Sequence, residues 1–428
     1  MQKFFIHTFG CQMNVYDGQR IAAMLHARGF VETNDFRDAD IIILNTCSVR
    51  EKATDKVFSA LGRIRLEKKP DALLGIVGCV AREVGGTAFK RVPELNFVLG
   101  PQSYHKLPEI LENPDVRLLN IDLGGLEKFD EMPQMDASPA VAYIPIQEGC
   151  NHVCTYCIVP YTRGREISRP YMDVVRDTEH AARTGAVEIC FLGQNVNGYR
   201  YENYKLADLI RAAAAIPNVR RIRFTSSYPT EMTDDLIEMF ATEQKLLPFL
   251  NMPIQSGSPD VLHRMNRPYS LDSYMEIVNK LRAARGDIQI SSDFIVGFPG
   301  ETDDDFARTI DIARCVKYIN SFTFKYSPRP HTAAAIMPNQ VPENVKKQRL
   351  YKLDAELSEI QREFNLSCVG KTLECLCEGA DKTGRHTVYR TPYMQQCIVN
   401  TVAGSAPQMA MIKITDANKA SLRGEFAE

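Results

Sequence analysis

Apolar and polar positions alternate in blocks along the first 124 residues. Phe4-Phe5-Ile6 leads to Gly10-Cys11 and then a helical pattern near Val15 to Arg28. Ile41-Ile42-Ile43-Leu44 leads to Asn45-Thr46-Cys47 and a helical pattern near Glu51 to Leu66. Leu73 to Val77 leads to Gly78-Cys79 and a helical pattern from about Val80. This rhythm predicts βαβαβα, hence parallel strands joined by crossover helices. Cys11, Cys47 and Cys79 each follow the carboxyl end of a strand, the edge where open α/β sheets bind ligands. Two of them directly follow glycine, where the backbone bends tightly. The topology therefore predicts that three cysteines more than thirty residues apart in sequence converge. Three buried core thiols are the competing reading, but core cysteines fall inside apolar runs, and these lie just beyond them.

Residues 125–140 carry charge, Pro and Ser without periodicity and read as a linker. A second alternation then begins. Strand-like runs at Tyr143–Gln147, Val187–Leu192, Ile222–Ser226, Phe249–Met252, Ile288–Val296 and Phe322–Tyr326 are separated by helical segments such as Met172–Thr184, Lys205–Ala215 and Asp303–Cys315. Six βα units predict a partial parallel (β/α)6 barrel spanning residues 141–365, and a long amphipathic, charged helix is expected from Pro342 to about Leu366. From residue 366 to 428 the pattern turns to short strands with Gly370, Gly379, Gly384 and Gly404 between them. That predicts a small antiparallel β-barrel. The fold class is α/β with this β appendage.

The chemistry lies after the first barrel strand. Cys150, Cys154 and Cys157 stand in GCNHVCTYC with CxxxCxxC spacing. Three thiolates on one loop fall one short of the four ligands of a 4Fe–4S cluster, which leaves one iron open to a substrate. A structural zinc site wants four ligands, and His152, flanked by the first two cysteines, is poorly placed to supply the fourth. A disulfide framework does not suit a 428-residue chain with 12 cysteines and no visible secretory leader. Without a basic leader or an apolar run long enough to span a bilayer, a cytoplasmic, non-membrane protein is expected. The net charge of −2 does not announce nucleic acid, so any polyanion must be met by local patches.

The other strand ends carry small or polar residues suited to a zwitterionic nucleoside: Gly193, Gln194 and Asn195; Ser226; Gln255; and Asp293. Ordinary turns and helix caps are the competing reading. Arg163, Arg165 and Arg169 follow the cysteine loop and suit a phosphate or a carboxylate, or form a solvated charge run. Arg220, Arg221 and Arg223 read as exposed charge at the start of a strand. Cys190, Cys315, Cys368 and Cys397 read as core, and Cys375 with Cys377 as one strand face. Lys371, Lys382, Arg385, His386, Tyr389, Arg390 and Tyr393 mix bases and aromatics as RNA-binding β folds do, offset by Glu374, Glu378, Asp381 and Asp416.

CxxxCx(aromatic)C, with Tyr156 as the aromatic, resembles the cluster loop of the radical S-adenosylmethionine (SAM) superfamily. TFGCQMN, NTCSVREKA, VGCVAR, EGCNHVCTYCIVPYTRGREISRP, PIQSGS, VGFPGET and YSPRP, in that order, resemble the methylthiotransferase family within it. The resemblance covers essentially the whole chain. It implies two 4Fe–4S clusters, one on Cys150, Cys154 and Cys157 that binds SAM, and an auxiliary one on Cys11, Cys47 and Cys79. It also implies a C-terminal TRAM domain that binds RNA, a reductant such as flavodoxin or ferredoxin, and a monomer. CSVREKA and VPYTRGRE are most similar to the branch that methylthiolates isopentenyladenosine beside the tRNA anticodon, at position 37. Alternatives are the branches acting on a ribosomal-protein aspartate or on threonylcarbamoyladenosine and, outside enzymes, an iron–sulfur carrier that binds RNA. Asn251-Met252-Pro253 stands where the family often has His-Leu-Pro, and His331 replaces a frequent glycine.

Overall fold

The computed structural model describes residues 1–48, 53–133, 140–401 and 406–427. The N-terminal sheet has six parallel strands. From one edge they are Val31–Glu32, Lys3–Thr8, Ile41–Thr46, Leu73–Gly78, Phe97–Leu99 and Leu118–Asn120. Ile41–Leu44 are buried without alternation, the mark of a strand covered on both faces. Leu44, Val57, Leu61 and Leu74 pack on one side, and Ile43, Ile21, Leu25 and Phe97 on the other. Chain order reverses between the strands Lys3–Thr8 and Ile41–Thr46, so Cys11 and Cys47 flank the crevice where such sheets take ligands. The helices after them are Gln12–His26 and Ala53–Glu67. The expected start of the second, Glu51, lies outside the described residues, as do residues 134–139 of the expected linker and Val402 and Gly404.

The linker is not featureless. Glu127–Glu131 forms a helical turn that buries Lys128 and Phe129, because Lys128 meets two carboxylates that no local periodicity reveals. Then Val141–Pro145, Glu188–Leu192 and Arg221–Phe224 pair in parallel. A parallel bridge from Ile222 to Leu246 leads toward Phe249–Asn251, which pairs with Gln289–Ser291. Asp293–Val296 continues that fifth strand and pairs with Phe322–Lys325. All six expected strands are present in sequential parallel order. Ile144, Ile189, Ile222, Leu250, Ile290 and Phe294 share one core, and the long helix Glu343–Ser367 adds Leu353, Leu357 and Ile360 to it.

Five strands close the C-terminal barrel in the order Thr372–Ala380, Thr387–Arg390, Gln396–Val399, Leu422–Phe426 and Met409–Ala417. Leu422–Phe426 was not evident from sequence; it pairs with two neighbours and supplies closure. Three expectations fail here. Arg221 and Arg223 are buried, not exposed, since both pair with Glu188 on the adjacent strand: Arg223 Nε donates to it at 2.6 Å, and Arg221 Nε forms an ion pair with it at 2.9 Å. Arg221 also donates to the carbonyls of Arg390 and Thr391, fastening the small barrel to the large one. Cys315 is exposed rather than core, because it falls on the outer face of the helix Asp303–Val316. Tyr389 is fully buried, with its hydroxyl on the Pro407 carbonyl, and has no face to offer a base.

Candidate active site

The N-terminal cysteines are brought together by backbone stitching. Asn14 Nδ2 donates to Asn45 Oδ1 and the Thr46 carbonyl, at 2.9 and 3.0 Å, and Asn45 Nδ2 returns a bond to the Asn14 carbonyl. Thr46 Oγ1 donates to the Val77 carbonyl and accepts from Val80 N. These bonds tie the loops after three strands into one unit. Gly10, at φ +123°, must be glycine: a Cβ there would lie 2.3 Å from Cys47 Cβ. The Cys11 and Cys47 thiols hydrogen-bond each other, which draws Cys11 down to about 6. Burial pushes Cys79 up, opposed by the nearby Arg163 charge.

The barrel cysteines lie on one loop. Gly149 opens it at φ +75°, where a Cβ would meet the Arg165 carbonyl at 2.1 Å. Gly149 N donates to Gln194 Oε1 at 2.6 Å, and Cys157 N to the Cys154 carbonyl at 3.0 Å. Thr155 anchors the middle, its N and Oγ1 donating to the Met265 and Arg264 carbonyls. Arg267, only 5% exposed, supports the loop from below. It reaches Cys154 Sγ at 3.8 Å and Tyr156 Oη at 3.3 Å, donates to the Pro253 carbonyl at 2.7 Å, and covers the Tyr228 ring at 4.6 Å. His152 stacks on Tyr228 at 3.6 Å and meets Glu231 at 3.0 Å, so it is spoken for. Burial pushes Cys150 and Cys157 up to about 12. Such thiols stay protonated until a metal displaces the proton.

Among the described residues, no three His, Cys, Asp or Glu side chains could hold one metal ion. In a 4Fe–4S cluster each thiolate takes a different iron, so its ligands spread around the group rather than crowd a single ion. Three cysteines per site fall one short of the four ligands that structural zinc takes and suit a cluster with one iron left open.

A cavity of about 310 Å³ opens beside the barrel loop, lined by Tyr156, Cys157, Gln255, Asp293, Lys325 and Arg329 among others. Burial pushes the Asp293 carboxyl up to about 6, against the Arg267 charge and a hydrogen bond from Asn251. Gln255 adopts φ +73° and bridges to Phe294, whose strand also carries Asp293. Gly193, Gln194, Asn195 and Ser226 do not line this cavity. Gln194 holds the loop, and Asn195 donates to Glu231 and Glu166, at 2.6 and 3.1 Å. Ser226 sits at φ +62° at the third strand end.

A profile described as "Uncharacterized protein family UPF0004" matches residues 3–100, and that of the Radical SAM superfamily matches residues 144–313. The chain is 45% identical to "tRNA-2-methylthio-N(6)-dimethylallyladenosine synthase" of Rickettsia canadensis, over 99% of each chain. It is equally identical, at 45% with the same coverage, to the protein of that name from Rickettsia bellii. This chain belongs to that radical SAM family. Among solved structures, the radical SAM methyltransferase TsrM of Kitasatospora setae superposes with TM-score 0.57 at 13% identity, covering 89% of this chain and 79% of that one. That likeness extends to the fold alone. Membership in the superfamily brings SAM and a 4Fe–4S cluster with it, and among the described residues no helix is long and apolar enough to cross a membrane.

For a radical SAM protein the residues that sequence reading missed are those beneath and between the cysteine sites. Arg267, Glu231 and Tyr228 come from other strand ends and carry no local motif. The sequence leaves Arg163 and Arg169 either to bind a phosphate or carboxylate or to form a solvated charge run, and the structure supports neither. Both are buried and already paired: Arg163 with Glu148 at 2.9 Å, and Arg169 with Asp177 at 2.8 Å. Arg165 remains exposed.

Proposed function

We propose that the chain installs a methylthio group on carbon 2 of N6-isopentenyladenosine beside the anticodon, at position 37 of tRNA. The observation that carries this is the full-length similarity, 45% identity over 99% of both chains, to proteins named for that product. On this reading Cys150, Cys154 and Cys157 hold one 4Fe–4S cluster, and Cys11, Cys47 and Cys79 hold a second. When bound, the first supplies the electron that splits SAM and the second supplies the sulfur. An adenine carbon–hydrogen bond is too strong for acid–base chemistry, which is why a radical is needed.

The chain's own residues position the reactants and exclude water. Gln255, Asp293 and Tyr156 face the cavity where SAM fits. Asp293, partly protonated near neutrality, can accept from a ribose hydroxyl or the SAM amine. Gln194 and Asn195 brace the loop and its rim. Lys325, paired with Glu343, and Arg329 stand at the cavity wall. The target base must leave its stack to enter, at a cost of a few kcal/mol. The C-terminal barrel takes the TRAM role through Lys371, Lys382 and Arg385, which are exposed, rather than through Tyr389. The electron comes from a flavodoxin or ferredoxin, and the protein works as a cytoplasmic monomer.

The test is reconstituted protein with SAM, a reductant and an anticodon stem-loop carrying isopentenyladenosine. Methylthiolated nucleoside and 5′-deoxyadenosine should form together. Modification of a ribosomal-protein aspartate instead, with the stem-loop untouched, would move the chain to the other branch.

A further inference from the structure

The chemistry above leaves one buried charge cluster unused. Asp17, Lys128, Glu148 and Arg163 are all at most 3% exposed. Arg163 Nη1 donates to Glu148 Oε2 at 2.9 Å and Oε1 at 3.3 Å, and Nη2 reaches Asp17 Oδ2 at 3.5 Å. Lys128 binds Glu148, Asp17 Oδ1 at 3.3 Å and the Pro101 carbonyl at 3.1 Å. Tyr104 donates to Asp17, and Gln102 to the Arg163 carbonyl. Two anions and two cations cancel. Against the burial that raises it, Lys128 and Arg163 hold the Glu148 carboxyl below the usual range.

The cluster's members come from four elements. Asp17 lies on the helix Gln12–His26 that follows Cys11, and Glu148 ends the strand two residues before Cys150. Lys128 belongs to the linker turn, and Arg163 ends the helix Val159–Arg163 just after the cysteine loop. The helix Cys79–Val84 packs against the helix Val159–Arg163, which sets the Arg163 charge beside the Cys79 and Cys11 thiols. A buried ion network adds little net stability over well-packed apolar residues. Its geometry is what distinguishes it: one planar fork joins Glu148, at the root of one three-cysteine loop, to Asp17, on the helix that follows a cysteine of the other.

We propose that Arg163 is a positioning residue that couples the two three-cysteine sites. Through Glu148 and Asp17 it fixes their separation, and its positive charge beside Cys79 raises the reduction potential of a cluster held there. This rests on the reading that Cys11, Cys47 and Cys79 hold a cluster. Hydrogen bonds to the sulfurs and nearby charge are among the factors that set such potentials.

The test uses the full chain with Cys150, Cys154 and Cys157 replaced by alanine, so that iron loads only the N-terminal site. Redox titration followed by electron paramagnetic resonance should place Arg163→Met at a more negative potential than its parent. Arg163→Met with Glu148→Gln restores charge balance and folding, and should remain more negative; Arg163→Lys should recover most of the shift. With all six cysteines present, the double variant should make roughly 10- to 100-fold less methylthiolated product per 5′-deoxyadenosine, as misplacement predicts. An unchanged potential and an unchanged product ratio in that double variant would overturn the proposal. If the cysteine-depleted parent holds no iron, the two-cluster reading itself falls, and the proposal with it.

Discussion

The two three-cysteine sites use one donor set in opposite settings. The barrel cysteines lie within eight residues on a single loop, braced by the Arg267 guanidinium and stacked rings, with a cavity open beside them. The N-terminal cysteines come from three strand ends, with Cys47 and Cys79 buried, amides stitching the backbone and Arg163 against Cys79. The first setting leaves room for a small molecule to approach. The second encloses its thiols and ties them, through buried charge, to the first. The difference teaches that two equal sets of cysteines can sit in unequal surroundings, one open to a small molecule and one closed in by packing.

The largest expected effect separates the sites outright. Alanine at Cys150, Cys154 and Cys157 should abolish 5′-deoxyadenosine release, whereas alanine at Cys11, Cys47 and Cys79 should preserve it, stop methylthiolation and remove about half the iron. Equal losses from both triple variants would erase the contrast. Next comes the brace. Arg267→Met leaves the Pro253 carbonyl and Tyr269 hydroxyl without their donor and partner, which should lower stability by about 2–4 kcal/mol. Iron should be lost from the barrel site first; denaturant melts and iron analysis check both.

The smallest effect is pH-dependent. The Asp293 carboxyl titrates near 6 in the fold, above its unfolded value of about 3.9, so folding favours the protonated form. Its contribution is full below the unfolded value and lost as pH rises through 6. Asp293→Asn should therefore stabilise the metal-free chain at pH 7.5 by on the order of 1–2 kcal/mol, with the gain shrinking toward pH 4. A uniform gain across that range in thermal melts would exclude the carboxyl as its source.

The sequence made the two sites legible to different depths. CxxxCxxC is local, so spacing alone exposed it. The N-terminal set was legible through topology, because strand–helix alternation places carboxyl ends side by side. What bound the sites together was not legible. Lys128 sits in a stretch without periodicity, and its partners Asp17 and Glu148 are 111 and 20 residues away. Arg221 and Arg223 looked exposed because nothing local shows Glu188 on the neighbouring strand. Tyr389 stands in sequence among bases and aromatics that suit RNA, yet closure by the unforeseen strand Leu422–Phe426 put it inside the barrel. Long-range charge pairing and barrel closure are properties of the packed chain, and pattern along the sequence does not report them.

Nucleoside mass spectrometry of bulk tRNA from a strain lacking this chain tests the central claim most directly. The expected result is isopentenyladenosine accumulating in place of its 2-methylthio derivative, reversed by the intact chain and not by one without Cys11, Cys47 and Cys79. Unaltered levels of the methylthio nucleoside in that strain would contradict it.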